Sequence, residues 1–265
     1  MPAGVGHHRR REHDPPVVER VAEALGEGVC AAGIETAVRC GQRGHDAGDH
    51  VLGGLAGASD AAVPRAQNRD SEALDLARQA MEYAGTPLQR AQVLAWAELP
   101  ALARLGGEHR FDALRIIGQA QDQMAADPDG SQPGRFGFDG AELHLHIAQA
   151  SLALGDSSRA REHAEASRAD SRTGRPSWAA ATLTLAQAEA ARGRSSDAAA
   201  LAHAVLDAIP AEALRQTSRL RLRSLNENLA RTGTADTEAR SLAERVRALP
   251  QHIPVGRVSD EPNGH

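Results

Sequence analysis

The sequence predicts an all-α fold of stacked antiparallel helix pairs, with a poorly structured N-terminal segment. Two observations carry this prediction. A block of residues recurs at a fixed interval, "HIAQASLALGDSSRAREHAEA" at 146–166 and "TLAQAEAARGRSSDAAALAHA" at 184–204. Each copy reads as helix, glycine turn, helix, and a fixed period between 20 and 50 residues is the mark of a stacked array. The second observation is a change of character at Asp70. Beyond it helical patterning dominates, β-branched runs are absent and turns are short.

Residues 1–14, "MPAGVGHHRRREHD", are polar, charged and expected to be without fixed structure. Residues 15–67 contain one short helical run, "VVERVAEAL", and then a glycine-dense stretch with no sustained period. Each interior glycine disfavours a helix by about 1 kcal/mol. Segment 1–69 is therefore expected to lack a stable fold of its own, with the helical body spanning 70–250 and a loop-like tail at 251–265. "SEALDLARQAMEYAG", 71–85, places Ala73, Ala77 and Ala80 on one helical face. A helix pair is expected at 88–124 around the turn Gly106-Gly107, with Ala113, Ile117 and Ala120 on its second helix and a kink at Pro100.

The two full copies come next. Gly155 and Gly193 lie 38 residues apart, and at that offset Ala148, Gln149 and Ala150 match Ala186, Gln187 and Ala188. Ala160, Ala164 and Ala166 match Ala198, Ala202 and Ala204. Glycine suits the left-handed residue that ends the first helix of each pair. Ser157 or Ser158, and Ser195 or Ser196, are expected to cap the second. The alanines are expected where two helices approach closely. Two closing helices complete the body, with Leu214, Leu222, Leu225 and Leu229 as the stripe of the first.

This pattern resembles the tetratricopeptide repeat. Ala186, Gly193, Ala198, Ala202 and Pro210 match that family's small-residue, glycine and closing-proline positions in order. Ala148, Gly155, Ala160 and Ala164 match them in the earlier unit. The resemblance covers roughly residues 70–248 and implies a tetratricopeptide-like α-solenoid. The chain departs from the family where bulky aromatics are replaced by His144, Ser151 and Ala164. "LAWAELPALARLG" and the Arg-rich closing helices also resemble the C-terminal half of XRE-type helix-turn-helix regulators from high-GC bacteria. In those regulators a DNA-binding head precedes a helical-repeat body. Here segments 17–25 and 32–39 are the candidates for such a head, but two glycines lie between them and the second is a poor helix.

Composition bounds the function. The formal net charge is −5, which argues against a protein built chiefly to neutralise phosphates. All 30 basic residues are arginine, in keeping with high-GC coding. Cys30 and Cys40 form no Cys-x-x-Cys motif, so a reducing cytoplasm is the expected compartment. Arg9-Arg10 is followed by charged, proline-broken sequence rather than an apolar leader, and no apolar run approaches the ~20 residues of a membrane span.

Candidate chemistry is sparse. "RQTSRLRLR" offers Arg219, Arg221 and Arg223 as a nucleic-acid patch, but the neighbouring Glu212, Glu227 and Glu244 favour a solvated helix face. His144 and His146 diverge by about 200° on a helix and cannot chelate one ion, so His144 is assigned a packing slot. His45, Asp46, Asp49 and His50 have the right ligand types for a metal and no structured surroundings. Asp127 and Asp129 flank Pro128 in a turn, and no nucleophile elbow, phosphate loop or dinucleotide fingerprint occurs.

No catalytic residue, metal or cofactor is therefore expected. The expected site is the concave groove of the array, lined by the first helix of each pair. The family register assigns Glu98, Glu142, Gln149 and Gln187 to it, along with Leu102, Leu145, Leu152, Ala180, Leu183 and Ala190. The two glutamines are equivalent, and their amides suit the backbone of an extended peptide. The expected function is a non-enzymatic module binding a protein or peptide, as the regulatory body of a transcriptional regulator. The alternatives are a complete DNA-binding regulator with a degenerate head, or a scaffold unrelated to transcription. Specific DNA binding by this chain alone is not expected, and homo-oligomerisation is left open.

Overall fold

The computed structural model of the chain describes residues 60–62, 64–65, 67–128, 138–231 and 237–250. The candidate DNA-binding head, Cys30, Cys40, the cluster His45, Asp46, Asp49 and His50, Asp129 and the tail lie outside the described residues. The fold is all-α, with no strand among the described residues. The helices are α1 (Asp70–Tyr83), α2 (87–105), α3 (Arg110–Ala126), α4 (Gly140–Ala153), α5 (Ser157–Ala169), α6 (Pro176–Ala191), α7 (Ser195–Ala208), α8 (Gln216–Arg231) and α9 (Thr237–Ala248). Residues 60–62 and 64–65, ahead of α1, are also helical.

Local sequence accounts for most boundaries. Thr86 opens α2 with a reciprocal capping box: its hydroxyl accepts the Gln89 N–H, and the Gln89 side chain accepts the Thr86 N–H. Gly155 and Gly193 adopt φ of 76° and 78°. Each ends its helix in a double hydrogen-bonded hook, Gly155 to Leu152 and Asp156 to Ser151, then Gly193 to Ala190 and Arg194 to Glu189. The expected serine caps are corrected. Ser157 and Ser195 are the first residues inside their helices, and Asp156 is the cap of α5, accepting the Arg159 N–H at 3.1 Å. Leu214 likewise precedes α8 rather than lying on it, although it is buried with Leu222, Leu225 and Leu229.

Pro100 does not break α2. The helix passes through a π-helical turn, Leu94–Glu98, in which the Leu99 N–H bonds to the Leu94 carbonyl five residues back. The α-helical donor to the Trp96 carbonyl would be residue 100, a proline with no N–H. The Arg65 Nη1 donates to that carbonyl at 2.9 Å instead. This bond and the packing of Ala61 against Ala77 and Ala97 attach Arg65 and Ala61 to the helical body.

The helices form two layers. In one, α2 packs on α4, α4 on α6 and α6 on α8. In the other, made of α1, α3, α5, α7 and α9, only α7 and α9 touch comparably. The first layer is the tighter, and in a curved stack of helix pairs the tighter layer is the inner one, so this layer carries the expected concave groove. One apolar core joins α1 through α4 and a second joins α6 through α9. Between them Ala148, Ala164, Leu185 and Leu201 form a thin apolar seam.

Gln92 is an exception within the first core. It is 1% exposed, and neither its amide nitrogen nor its oxygen has a hydrogen-bond partner. A buried amide left unpaired costs about 1–3 kcal/mol. Gln92→Met keeps the shape and removes the cost, so it is expected to stabilise the fold by about 1–2 kcal/mol. Urea titration checks this; a lower midpoint than wild type would show that the amide is paired in solution.

Candidate functional site

Along the layer of α2, α4, α6 and α8 runs a strip of half-buried polar and aromatic side chains. It begins on α2 at Trp96, inside the π-turn. The extra residue of a π-turn rotates the next helical turns relative to a regular helix. Trp96 meets Phe138 edge-on, with ring centroids 5.4 Å apart, and lies 6.3 Å from the ring of His146 on α4. Its indole N–H is buried without a partner, four residues from the unpaired Gln92.

On α4, His146 Nε2 lies 3.4 Å from Glu142 Oε1 one turn earlier. The Glu142 N–H is fixed by the Asp139 side chain at 2.9 Å, which caps that helix. Gln149 lies three residues beyond His146 and is half-buried. On α6 the half-buried positions Ala180, Gln187 and Ala190 run along one stripe. Arg221 on α8 completes the strip. Burial pushes its guanidinium below the ordinary arginine range, and the Glu142 carboxylate opposes that shift. Arg221 on α8 is thus within electrostatic reach of Glu142 on α4. Among the described residues it makes no hydrogen bond and no ion pair within 4 Å.

The residues expected in the groove divide into three groups. Glu142, Gln149 and Gln187, with Leu152, Ala180 and Ala190, are half-buried on α4 and α6. Leu102, Leu145 and Leu183 lie beneath it as core. Glu98 is corrected: it is 6% exposed and faces α1, where Arg78 approaches at 3.7 Å. Burial raises its pKa, against the pull of Arg78 and Arg115. Counting back from the turn glycines, Glu98 corresponds to the buried Ile147 and Leu185, two residues short of Gln149 and Gln187.

The arginine run is not a patch. Arg219 turns away from the concave side and donates to three backbone carbonyls, Ala211 at 2.6 Å, Pro250 at 2.9 Å and Leu214 at 3.0 Å. It ties the loop before α8 to the end of α9. Arg221 lies about 200° around the helix from Arg219, which is why it points the other way. His144 fills an interhelical slot, as its position suggests, and its partner there is His163 of α5. Among the described residues no group of three or more His, Cys, Asp or Glu side chains converges. No described helix is long and apolar enough to cross a membrane.

Sequence reasoning overlooked Trp96 and His146, which meet across α2 and α4. The signal for Trp96 was present: Pro100 four residues later forces the α2 backbone to depart from α-helical pairing at that carbonyl. No family model, curated protein or solved structure matches the chain.

Proposed function

We propose that this chain is a non-enzymatic helical-repeat module of the tetratricopeptide type, which binds an extended segment of a partner protein along its concave layer. The single observation that carries this reading is Arg221. A half-buried guanidinium without a hydrogen-bonded partner is costly, and a carboxylate from outside would satisfy it. Gln149 and Gln187 offer amide donors and acceptors along the path, and Trp96 offers an apolar face at its far end. The partner segment is accordingly one that carries an Asp, a Glu or a chain-terminal carboxylate. The place of such a module as the regulatory body of a transcriptional regulator rests on the XRE-type resemblance of the α2 sequence.

Selection of peptides from a random twelve-residue library on the wild-type chain and on Arg221→Gln tests the reading. Wild type is expected to enrich peptides with an acidic residue at one fixed position, and Arg221→Gln to bind those peptides at least tenfold more weakly. Fluorescence polarisation on the selected peptides measures the ratio. Equal affinities, or no selected sequence at all, would sink the proposal. Because Arg221 has no partner to lose, the variant is expected to melt at or above the wild-type temperature, which separates a binding defect from a folding one.

A further inference from the structure

Outside the concave strip, the most specific polar geometry is a contact between two histidines. His144 Nδ1 on α4 and His163 Nδ1 on α5 are 2.7 Å apart, with ring centroids 5.0 Å apart and the planes tilted by 35°. The pair sits within the packed interface of the two helices. At the matching positions of the next unit, 38 residues on, the chain carries Thr182 and Leu201. The fold therefore accepts an uncharged, unbonded pair at this joint, and the histidines are an addition to it.

Their hydrogen bond has an obligatory proton count. Two Nδ1 atoms at this distance share one proton, one donating and the other accepting. The neutral pair and the singly protonated pair both allow this. The doubly protonated pair does not, because both Nδ1 atoms then carry hydrogen and both rings carry charge. Nothing nearby offsets that repulsion fully. On α5, Glu162 favours the charged form of His163 and Arg159 opposes it; burial, the largest influence, holds its pKa below the ordinary value. On α4, Glu142 and His146 lie two residues either side of His144, on the opposite face. From α6 the carboxylate facing α5 is Glu189, already held by Arg161 and Arg194. From α3 the polar neighbour is Gln121, which lines an open cleft of about 410 Å³ together with Leu114, Ile117, Gly118, Arg159, Glu162 and His163.

We propose that the His144–His163 pair is an acid-sensitive joint that seats α5 on α4 at neutral pH and releases it when the second proton binds, widening the cleft between α3 and α5. The sign comes from proton counting. In the unseated state each ring binds a proton independently, whereas the seated pair, sharing one hydrogen between its Nδ1 atoms, holds at most one. Seating is therefore complete above about pH 6.5 and weakens as pH falls. The seated-to-unseated ratio drops by up to tenfold per pH unit.

Hydrogen exchange of the α5 amides, corrected for intrinsic rate, tests this between pH 7.5 and 5.0. The wild-type opening population is expected to rise up to tenfold per unit below pH 6.5. The double variant His144→Thr, His163→Leu, which copies the next unit, is expected to show no such rise. The same slope in both proteins would overturn the proposal. Nuclear magnetic resonance titration of the wild-type rings needs no variant: the two rings are expected to take up their protons in two coupled steps, the second displaced to lower pH, and two independent, superimposable titrations would equally overturn it.

Discussion

Replacing Arg219 by methionine is expected to destabilise the protein by about 2–3 kcal/mol, whereas Arg223→Met stays within about 0.5 kcal/mol of wild type. Methionine keeps most of the apolar stem and removes the donors. Three carbonyls then lose a charged partner at once: Ala211 and Leu214 in the loop before α8, and Pro250 after α9. All three lie outside the α-helices, and the Ala211 carbonyl keeps only the Leu214 N–H, at 3.4 Å. The loss is therefore felt where α8 and α9 close the stack. For a body of this size the melting temperature should fall by roughly 5–10 °C. Equal melting of the two variants would show that water satisfies those carbonyls as well as the guanidinium does.

Replacing Ala198 by leucine is expected to cost about 1–3 kcal/mol, and Ala200→Leu almost nothing. Ala198 is fully buried, in the core shared with Ala186 and Leu183, where α7 packs closely on α6. Three added carbons there must push the helices apart or force strained rotamers. Ala200 is two residues on, about 200° around α7, and exposed. Paired thermal melts decide the matter. A destabilised Ala200→Leu beside an unaffected Ala198→Leu would invert the face of α7 that packs.

These two results probe different kinds of information. The burial of Ala198 is readable from the repeat. A 38-residue offset that matches glycine with glycine and alanine with alanine imposes the same backbone path twice, and small side chains mark where that path comes close to itself. The role of Arg219 is not readable in this way. Its three carbonyls are 5, 8 and 31 residues away in sequence, and they gather only after α9 has packed back on α8.

The candidate site divides along the same line. Glu142, Gln149 and Gln187 are predictable from helix periodicity once one face is known to be buried. Glu98 shows how that reasoning fails. Counted back from its turn glycine it occupies the position of the buried Ile147 and Leu185, and its side chain ends against Arg78 of α1. The His144–His163 contact was half legible: spacing excluded a shared ion with His146 and assigned His144 to packing, but named no partner on α5.

The sequence by itself determined the helices, their pairing and the turns that join pairs, because these depend on interactions between residues within about five positions of each other. Gly155 and Gly193 can take a positive φ wherever they stand, and Ala73, Ala77 and Ala80 share a face in any α-helix. Tertiary structure alone decided which polar side chains are satisfied and which are not. Arg219 and Arg221 are two residues apart with the same chemistry, yet one is fully engaged and the other has no partner among the described residues. The difference is what packing brings to each: the end of α9 brings the Pro250 carbonyl to Arg219, while the one opposite charge that acts on Arg221 is that of Glu142 on α4. A charge finds its partner through space, and no local pattern records what the packing of α6, α8 and α9 will bring to it.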